Sequence, residues 1–165
     1  MIPVPDHIAS LEPYVPGKPL DELFRERGIR DAVKLASNEN PLGPSPKAVE
    51  AAREHLAGVH RYPDGPGFDV FAALSAHFDL PADHFILGNG SNELIELAIR
   101  TFLNPGEEGV MAWPSFVVYP SIVQAGGGVP VKVPLKQDRH DLNKMAGAVT
   151  ERTRIEFIAN PNNPT

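Results

Sequence analysis

From residue 84 onward, short apolar runs alternate with stretches of helical periodicity, and this alternation restricts the fold more than any other feature of the sequence. His84-Phe85-Ile86-Leu87 reads as a strand, Ser91 to Leu103 as a helix, and Gly109-Val110-Met111-Ala112 as a second strand. A helix is expected around Phe116 to Ala125, broken or delayed by Pro120, then a strand Val129 to Val133, a helix Asp141 to Val149 and a last strand Arg154 to Ala159. Strands separated by helices of this length pair in parallel and need cover on both faces. The expected fold class is therefore α/β, a mostly parallel sheet with helices on both sides. Leu94, Ile95, Ala98, Ile99, Phe102 and Leu103 occupy more than one face of their helix, which predicts burial on two sides.

The first forty or so residues follow a different logic. Pro3, Pro5, Pro13, Pro16, Pro19, Pro41, Pro44 and Pro46 fix φ and restrict the residues before them, so an extended arm carrying short helices is expected. Leu20 to Arg27 forms one such helix, ended by Gly28. Ser45-Pro46 has the form of an N-cap followed by proline at the first helical position, opening a helix to about Leu56. Gly67 to Phe78 sets Phe68, Phe71, Leu74 and Phe78 near helical spacing. The expected division is residues 1–80 as arm and small linking helices, and 81–165 as the first part of a larger sheet domain. Asn160 to Thr165 runs off a strand into turn residues, from which a continuing chain and an N-terminal fragment are expected.

The net charge of −6 and the lack of a basic stripe argue against nucleic acid, which is held by clustered Lys and Arg. With 42% apolar and 22% charged residues the chain has an ordinary globular composition. Cysteine is absent, so disulfides, zinc–thiolate sites and thiol nucleophiles are excluded. The start Met1-Ile2-Pro3-Val4-Pro5-Asp6 has neither a basic n-region nor an apolar h-region, and no apolar run is long enough to span a bilayer. A cytoplasmic protein with no membrane partner is expected. The six histidines show no i,i+4 pair with a carboxylate between them, and no metal site is expected.

Three turns, each directly after an expected strand, carry candidate chemistry. Gly88-Asn89-Gly90-Ser91-Asn92-Glu93 leads from strand into helix, so first-turn amides and the Ser91 hydroxyl can converge on an anion, most naturally a phosphate. Taken alone, a simple helix cap is the commoner explanation. The dinucleotide pattern fails because Glu93 stands where a third glycine belongs and no carboxylate follows the next strand. No Gly-Lys-Ser/Thr occurs, so the Walker pattern fails too. Trp113-Pro114-Ser115-Phe116-Val117-Val118-Tyr119 offers an aromatic face for a planar ring, or simply core aromatics. Asn160-Pro161-Asn162-Asn163-Pro164-Thr165 offers an amide donor, or side chains that close their own turn. Together they suit a phosphorylated aromatic cofactor, and pyridoxal phosphate has that description. In the arm, Asn38-Glu39-Asn40 is polar and turn-rich, and Tyr62 stands in a Gly/Pro loop as either a hydrogen-bonding finger or a lone surface tyrosine.

These same motifs carry a resemblance. Leu11-Glu12-Pro13-Tyr14-Val15-Pro16-Gly17, Ser37 to Pro46, Arg61-Tyr62-Pro63-Asp64, Gly88 to Ile95 and Asn162-Asn163-Pro164-Thr165 occur in the order found in class I/II pyridoxal-phosphate aminotransferases of fold type I, which the chain resembles over nearly its whole length. The resemblance implies that Gly90, Ser91 and Asn92 hold the cofactor phosphate and that Phe116, often Tyr in relatives, stacks on the pyridine ring. It implies that Asn163 donates to the phenolic oxygen and that Tyr62 reaches the phosphate of a neighbouring subunit's cofactor in a homodimer. Tyr14 and Asn40 would border the pocket of an amino-acid-like phosphate substrate, with 2-oxoglutarate and glutamate as the other pair. The family's reaction uses a lysine that moves a proton between the substrate and the cofactor. In relatives that lysine follows the Asn-Pro-Thr turn, so no catalytic lysine is expected within residues 1–165, and the stretch alone is expected to be inactive. An aromatic amino-acid aminotransferase, a threonine-phosphate decarboxylase, and a non-catalytic phosphate-binding module stay open alongside.

Overall fold

The structure, a computed structural model, describes residues 2–165. Two compact units are distinguished, one made of the described residues up to Tyr14 together with Ile86–Thr165, the other of Val15–Phe85.

In the first unit β1 (Glu108–Trp113) is central, flanked by β2 (Val129–Pro134) and β3 (Thr153–Phe157) in the order β2-β1-β3, all parallel. Side chains alternate across a strand, so β1 serves two cores. Met111 packs with Ile99 and Leu103 at the end of α5 (Gly90–Phe102) and with Val123 of α6 (Val118–Ala125). Val110 and Ala112 point the other way, against Val133 of β2 and Met145 of α7 (Leu142–Gly147). Helices therefore cover both faces, as the alternation predicts. The crossover through α6 carries the chain to one side of β1, and that through α7 returns it to the other side over the opposite face. All three strands consequently present their carboxyl ends on one edge, where ligands collect in open α/β sheets.

Helix α6 starts after Phe116, at Val118, and this delay leaves Pro120 in the first turn, where its missing N–H costs no helical bond. The short helix α1 (Asp6–Ala9) belongs to the same unit. Gln124 of α6 fastens it, donating through Nε2 to the His7 carbonyl at 3.0 Å and to Ser10 Oγ at 3.1 Å.

Two expectations from the sequence are corrected. Residues 84–87 do not form a strand: Ala82–His84 is a 3-10 turn, and the chain from Phe85 to Leu87 is extended without a ladder. An apolar run becomes a strand only where a neighbour takes its N–H and C=O groups, and no described strand lies beside this one. Helix α5 is buried on one side only, through Ile99, while Phe102 is 61% exposed, because only one of its apolar flanks meets the sheet and α6.

The second unit holds α2 (Leu20–Arg27), α3 (Pro46–His55) and α4 (Phe68–Phe78), none with a fully buried side chain. Helix α2 ends at Gly28 as expected, and Arg30 lies 4.1 Å over the Phe24 ring. Ser45 occupies the N-cap position of α3, but its side chain makes no capping bond; its carbonyl accepts from the Val49 amide at 3.1 Å. Helix α4 is capped from further upstream, where Asp64 Oδ2 accepts the Phe68 amide at 2.7 Å. No helix among the described residues is long and apolar enough to cross a membrane.

Candidate active site

The carboxyl edge of the sheet is built from three loops and one helix start. Gly90 opens α5 with φ +80°, a conformation that favours glycine, and an added Cβ there would meet nothing within 4 Å. The backbone before the helix is tightly folded, with the Gly90 amide donating to the Gly88 carbonyl at 2.8 Å. The Glu93 carboxylate reaches back and accepts the Asn89 amide. The Ser91 and Asn92 amides belong to the first turn, whose N–H groups have no acceptor within the helix. They stand at the positive end of a thirteen-residue dipole, next to the open space at Gly90.

Asn89 and Asn92 line a groove of about 580 Å³ with Tyr14, Glu12, Val117 and Val118. Val117 and Val118 directly follow the loop after β1, so the start of α5 opens at the carboxyl edge of the sheet. Tyr14 and Asn92, drawn from distant parts of the sequence, thus meet in one groove. Phe116 is half-buried in the same loop and meets Tyr119 edge-on at 5.5 Å. Tyr119 belongs to the core, stacked on Phe157 at 4.5 Å, whereas Trp113 carries Lys132 at 4.2 Å over its ring. Of the three aromatics in this motif, Phe116 is the one set in the turn itself.

Asn163, half-buried, lies in the loop after β3. The preceding residue ties that loop to the one bearing Phe116, for Ser115 Oγ donates to Asn162 Oδ1 at 2.8 Å. His140 Nε2 approaches the same oxygen at 3.2 Å from the loop after β2. Asn162, Ser115 and His140 were not singled out by sequence reasoning; the signal was a run of three asparagines around Pro161, in which spacing alone does not say which amide serves the turn. Asn40 and Tyr62 lie in the second unit. Asn40 Oδ1 accepts the Leu42 amide at 3.0 Å and so closes its own turn, and Tyr62 is fully exposed.

The perturbed carboxylates sit elsewhere. Glu108 begins β1 and Thr153 begins β3, at the amino edge of the sheet. Hydrogen bonds from Thr150, the Arg152 guanidinium and Thr153 hold the Glu108 carboxyl below the usual range. Glu107 is lowered chiefly by the Asn104 amide, with Arg154 at 2.8 Å assisting. This pairing fastens the sheet at the edge away from the groove. Among the described residues no group of three or more His, Asp or Glu could hold a metal ion.

Residues 30–165 match the family described as aminotransferase class I and II. The chain is 49% identical over 158 residues to histidinol-phosphate aminotransferase of Moorella thermoacetica, a match covering 96% of this chain and 41% of that protein. It is 52% identical over 160 residues to histidinol-phosphate aminotransferase 2 of Pseudomonas fluorescens, covering 96% of this chain and 43% of the other. Histidinol-phosphate aminotransferase from Sinorhizobium meliloti, solved in complex with pyridoxal-5'-phosphate, superposes with a TM-score of 0.85 at 27% identity, over 97% of this chain and 42% of that one. The chain spans less than half the length of the relatives it matches.

Proposed function

The chain belongs to the class I and II aminotransferases, and from that membership we propose that the whole protein is a cytoplasmic, homodimeric histidinol-phosphate aminotransferase. It would use pyridoxal phosphate to convert histidinol phosphate and 2-oxoglutarate to imidazole acetol phosphate and glutamate in histidine synthesis. One observation carries the reading: first-turn amides, an aromatic ring and an amide side chain, each supplied by a different turn, stand on the carboxyl edge of one parallel sheet. This donor set fits the cofactor, which has a phosphate, a flat ring and a phenolic oxygen.

When bound, pyridoxal phosphate supplies an electron-withdrawing ring for charge developing at the substrate α-carbon. Gly90 leaves room for the phosphate, and the Ser91 and Asn92 amides with the Ser91 hydroxyl would hold its oxygens. Phe116 would offer its face to the ring, and the Asn163 amide would donate to the phenolic oxygen. Tyr14, beside Asn92 in the groove, would border the substrate. Full exposure leaves Tyr62 available to a second subunit's phosphate. The lysine that binds covalently and moves the proton would come from outside residues 1–165. Lys18 and Lys34 are engaged with Glu26 and Glu39, and Lys132 with Trp113, and no lysine lines the groove.

The whole protein titrated with pyridoxal phosphate tests this. A visible absorbance band is expected, retained in Lys34→Ala and Lys132→Ala. Asn163→Ala should weaken cofactor binding roughly tenfold, the worth of one charge-assisted hydrogen bond. Turnover of histidinol phosphate should exceed that of phenylalanine and of threonine phosphate in kcat/KM. Loss of the band in Lys34→Ala would refute the placement of the lysine, and a protein with no band at all would refute the function.

A further inference from the structure

We propose that Asn162, Ser115 and His140 are positioning residues that hold Phe116 and Asn163 in register for the cofactor ring, an inference that rests on the function proposed above. The Asn162 side chain saturates its hydrogen-bonding capacity. Its Oδ1 accepts from Ser115 Oγ at 2.8 Å and faces His140 Nε2 at 3.2 Å. Its Nδ2 donates to the Pro114 carbonyl at 3.3 Å and to Thr165 Oγ1 at 2.7 Å. Thr165 Oγ1 in turn donates to the Asp138 carbonyl at 2.8 Å. Pro114 and Ser115 follow β1, Asp138 and His140 follow β2, and Asn162 and Thr165 follow β3. One amide therefore knots all three loops that leave the carboxyl edge.

The orientation of the groups follows from their chemistry. A carbonyl such as that of Pro114 only accepts, so the amide nitrogen must face it and the amide oxygen must face Ser115 and His140. An oxygen facing His140 Nε2 then requires the hydrogen on that nitrogen. The other ring nitrogen, Nδ1, is buried with no hydrogen-bond partner among the described residues, so Nε2 is the ring's one anchor. His140 thus serves Asn162 as a donor through Nε2. Neither shape-mimic at 162 matches two donors and two acceptors at once: aspartate would turn an oxygen on the Pro114 carbonyl, and leucine would leave Ser115 and His140 without an acceptor. The ring-facing residues are each one step from the knot, Phe116 after Ser115 and Asn163 after Asn162. Loops are the mobile parts of an α/β domain, and a ligand site needs its supports fixed by neighbours.

The test uses the whole protein with pyridoxal phosphate and reads three quantities: cofactor affinity, the induced visible circular dichroism of the bound cofactor, and the thermal midpoint without cofactor. Ser115→Ala and His140→Leu should each weaken affinity roughly tenfold and reduce the dichroism per bound cofactor, because the ring supports lose their register. His140→Gln, whose amide nitrogen can stand where Nε2 stood, should recover affinity to within about threefold of the parent. Parent-like affinity and dichroism in Ser115→Ala and His140→Leu would overturn the proposal, even with a lowered midpoint, since that pattern describes a merely structural role. A His140→Gln as weak as His140→Leu would overturn the part given to the histidine. If His140→Leu does not fold, Ser115→Ala decides by the same readings. A parent that takes up no cofactor overturns the function and this inference with it, whereas a binding parent with indifferent variants overturns the inference alone.

Discussion

Glu108 shows how one residue fastens the sheet far from its ligand edge. It is 3% exposed, and its carboxylate accepts from Thr150 Oγ1 at 2.6 Å and Thr153 Oγ1 at 3.3 Å and pairs with Arg152. These donors favour the charged form and hold its pKa below the ordinary 4.5. The unfolded chain therefore takes up this proton more readily than the folded one, and the contribution is fully present above the unfolded value and lost as pH falls through the lowered folded value. Glu108→Gln should accordingly cost stability near neutral pH, with the difference from the parent shrinking below about pH 4, as urea titrations across the pH range would reveal. An unchanged difference at acid pH would contradict this. Next to it, Gly109 stands where α6 presses on the strand: an added Cβ would lie 2.8 Å from Val123 Cγ2. Gly109→Ala should destabilise by about 1–3 kcal/mol through overpacking, read from denaturant midpoints, and Val123→Ala in the same chain should relieve part of that cost. At this scale the sequence is only partly legible. The helix start at Gly90-Ser91-Asn92 is legible because glycine admits the turn that opens it, but the part Asn162 plays beside Asn163 shows only once the loops after β1 and β2 are seen to converge on it.

Helix α5 shows what can be read at the level of elements and what cannot. Its start at the Gly88–Asn92 turn follows from local chemistry, since glycine permits the left-handed entry and Glu93 caps the exposed amide of Asn89. Removing that cap by Glu93→Ala should cost about 1 kcal/mol and speed hydrogen exchange of the Asn89 amide, which would otherwise stay protected. An Asn89 amide exchanging at the same rate in both proteins would count against the cap. The sheet strands β1, β2 and β3 were legible because each is a short apolar or alternating run bounded by turn residues, and their bounds shift from the expected ones by only a residue or two. Residues 84–87 have the same apolar character without becoming a strand, because strand formation depends on a partner that local sequence does not contain. The burial of α5 fails to follow its pattern for a related reason: periodicity states which faces could be covered, and the neighbours decide which of them are.

For the molecule as a whole, the two free edges of the sheet are unlike. The outer strand β2 carries Pro130, Lys132 and Pro134, residues that blunt an edge by removing donors and adding charge. The outer strand β3, Thr153-Arg154-Ile155-Glu156-Phe157, has no proline, and past its end Ile158 is 57% exposed. In the same unit Ile86 is 75% exposed and Phe102 61%. An unblunted strand edge accompanied by exposed large apolar side chains is a template for further pairing. The relatives are more than twice as long, and their additional chain is the natural source of a cover for this edge. Residues 1–165 expressed alone should therefore bind a hydrophobic dye and self-associate at micromolar concentration, and the whole protein should do neither beyond the dimer proposed above. Light scattering and dye fluorescence on the two proteins side by side decide it. A monodisperse, dye-silent, cooperatively melting monomer of 165 residues would mean that the β3 edge needs no cover, and that the apolar surface around it is tolerated in water.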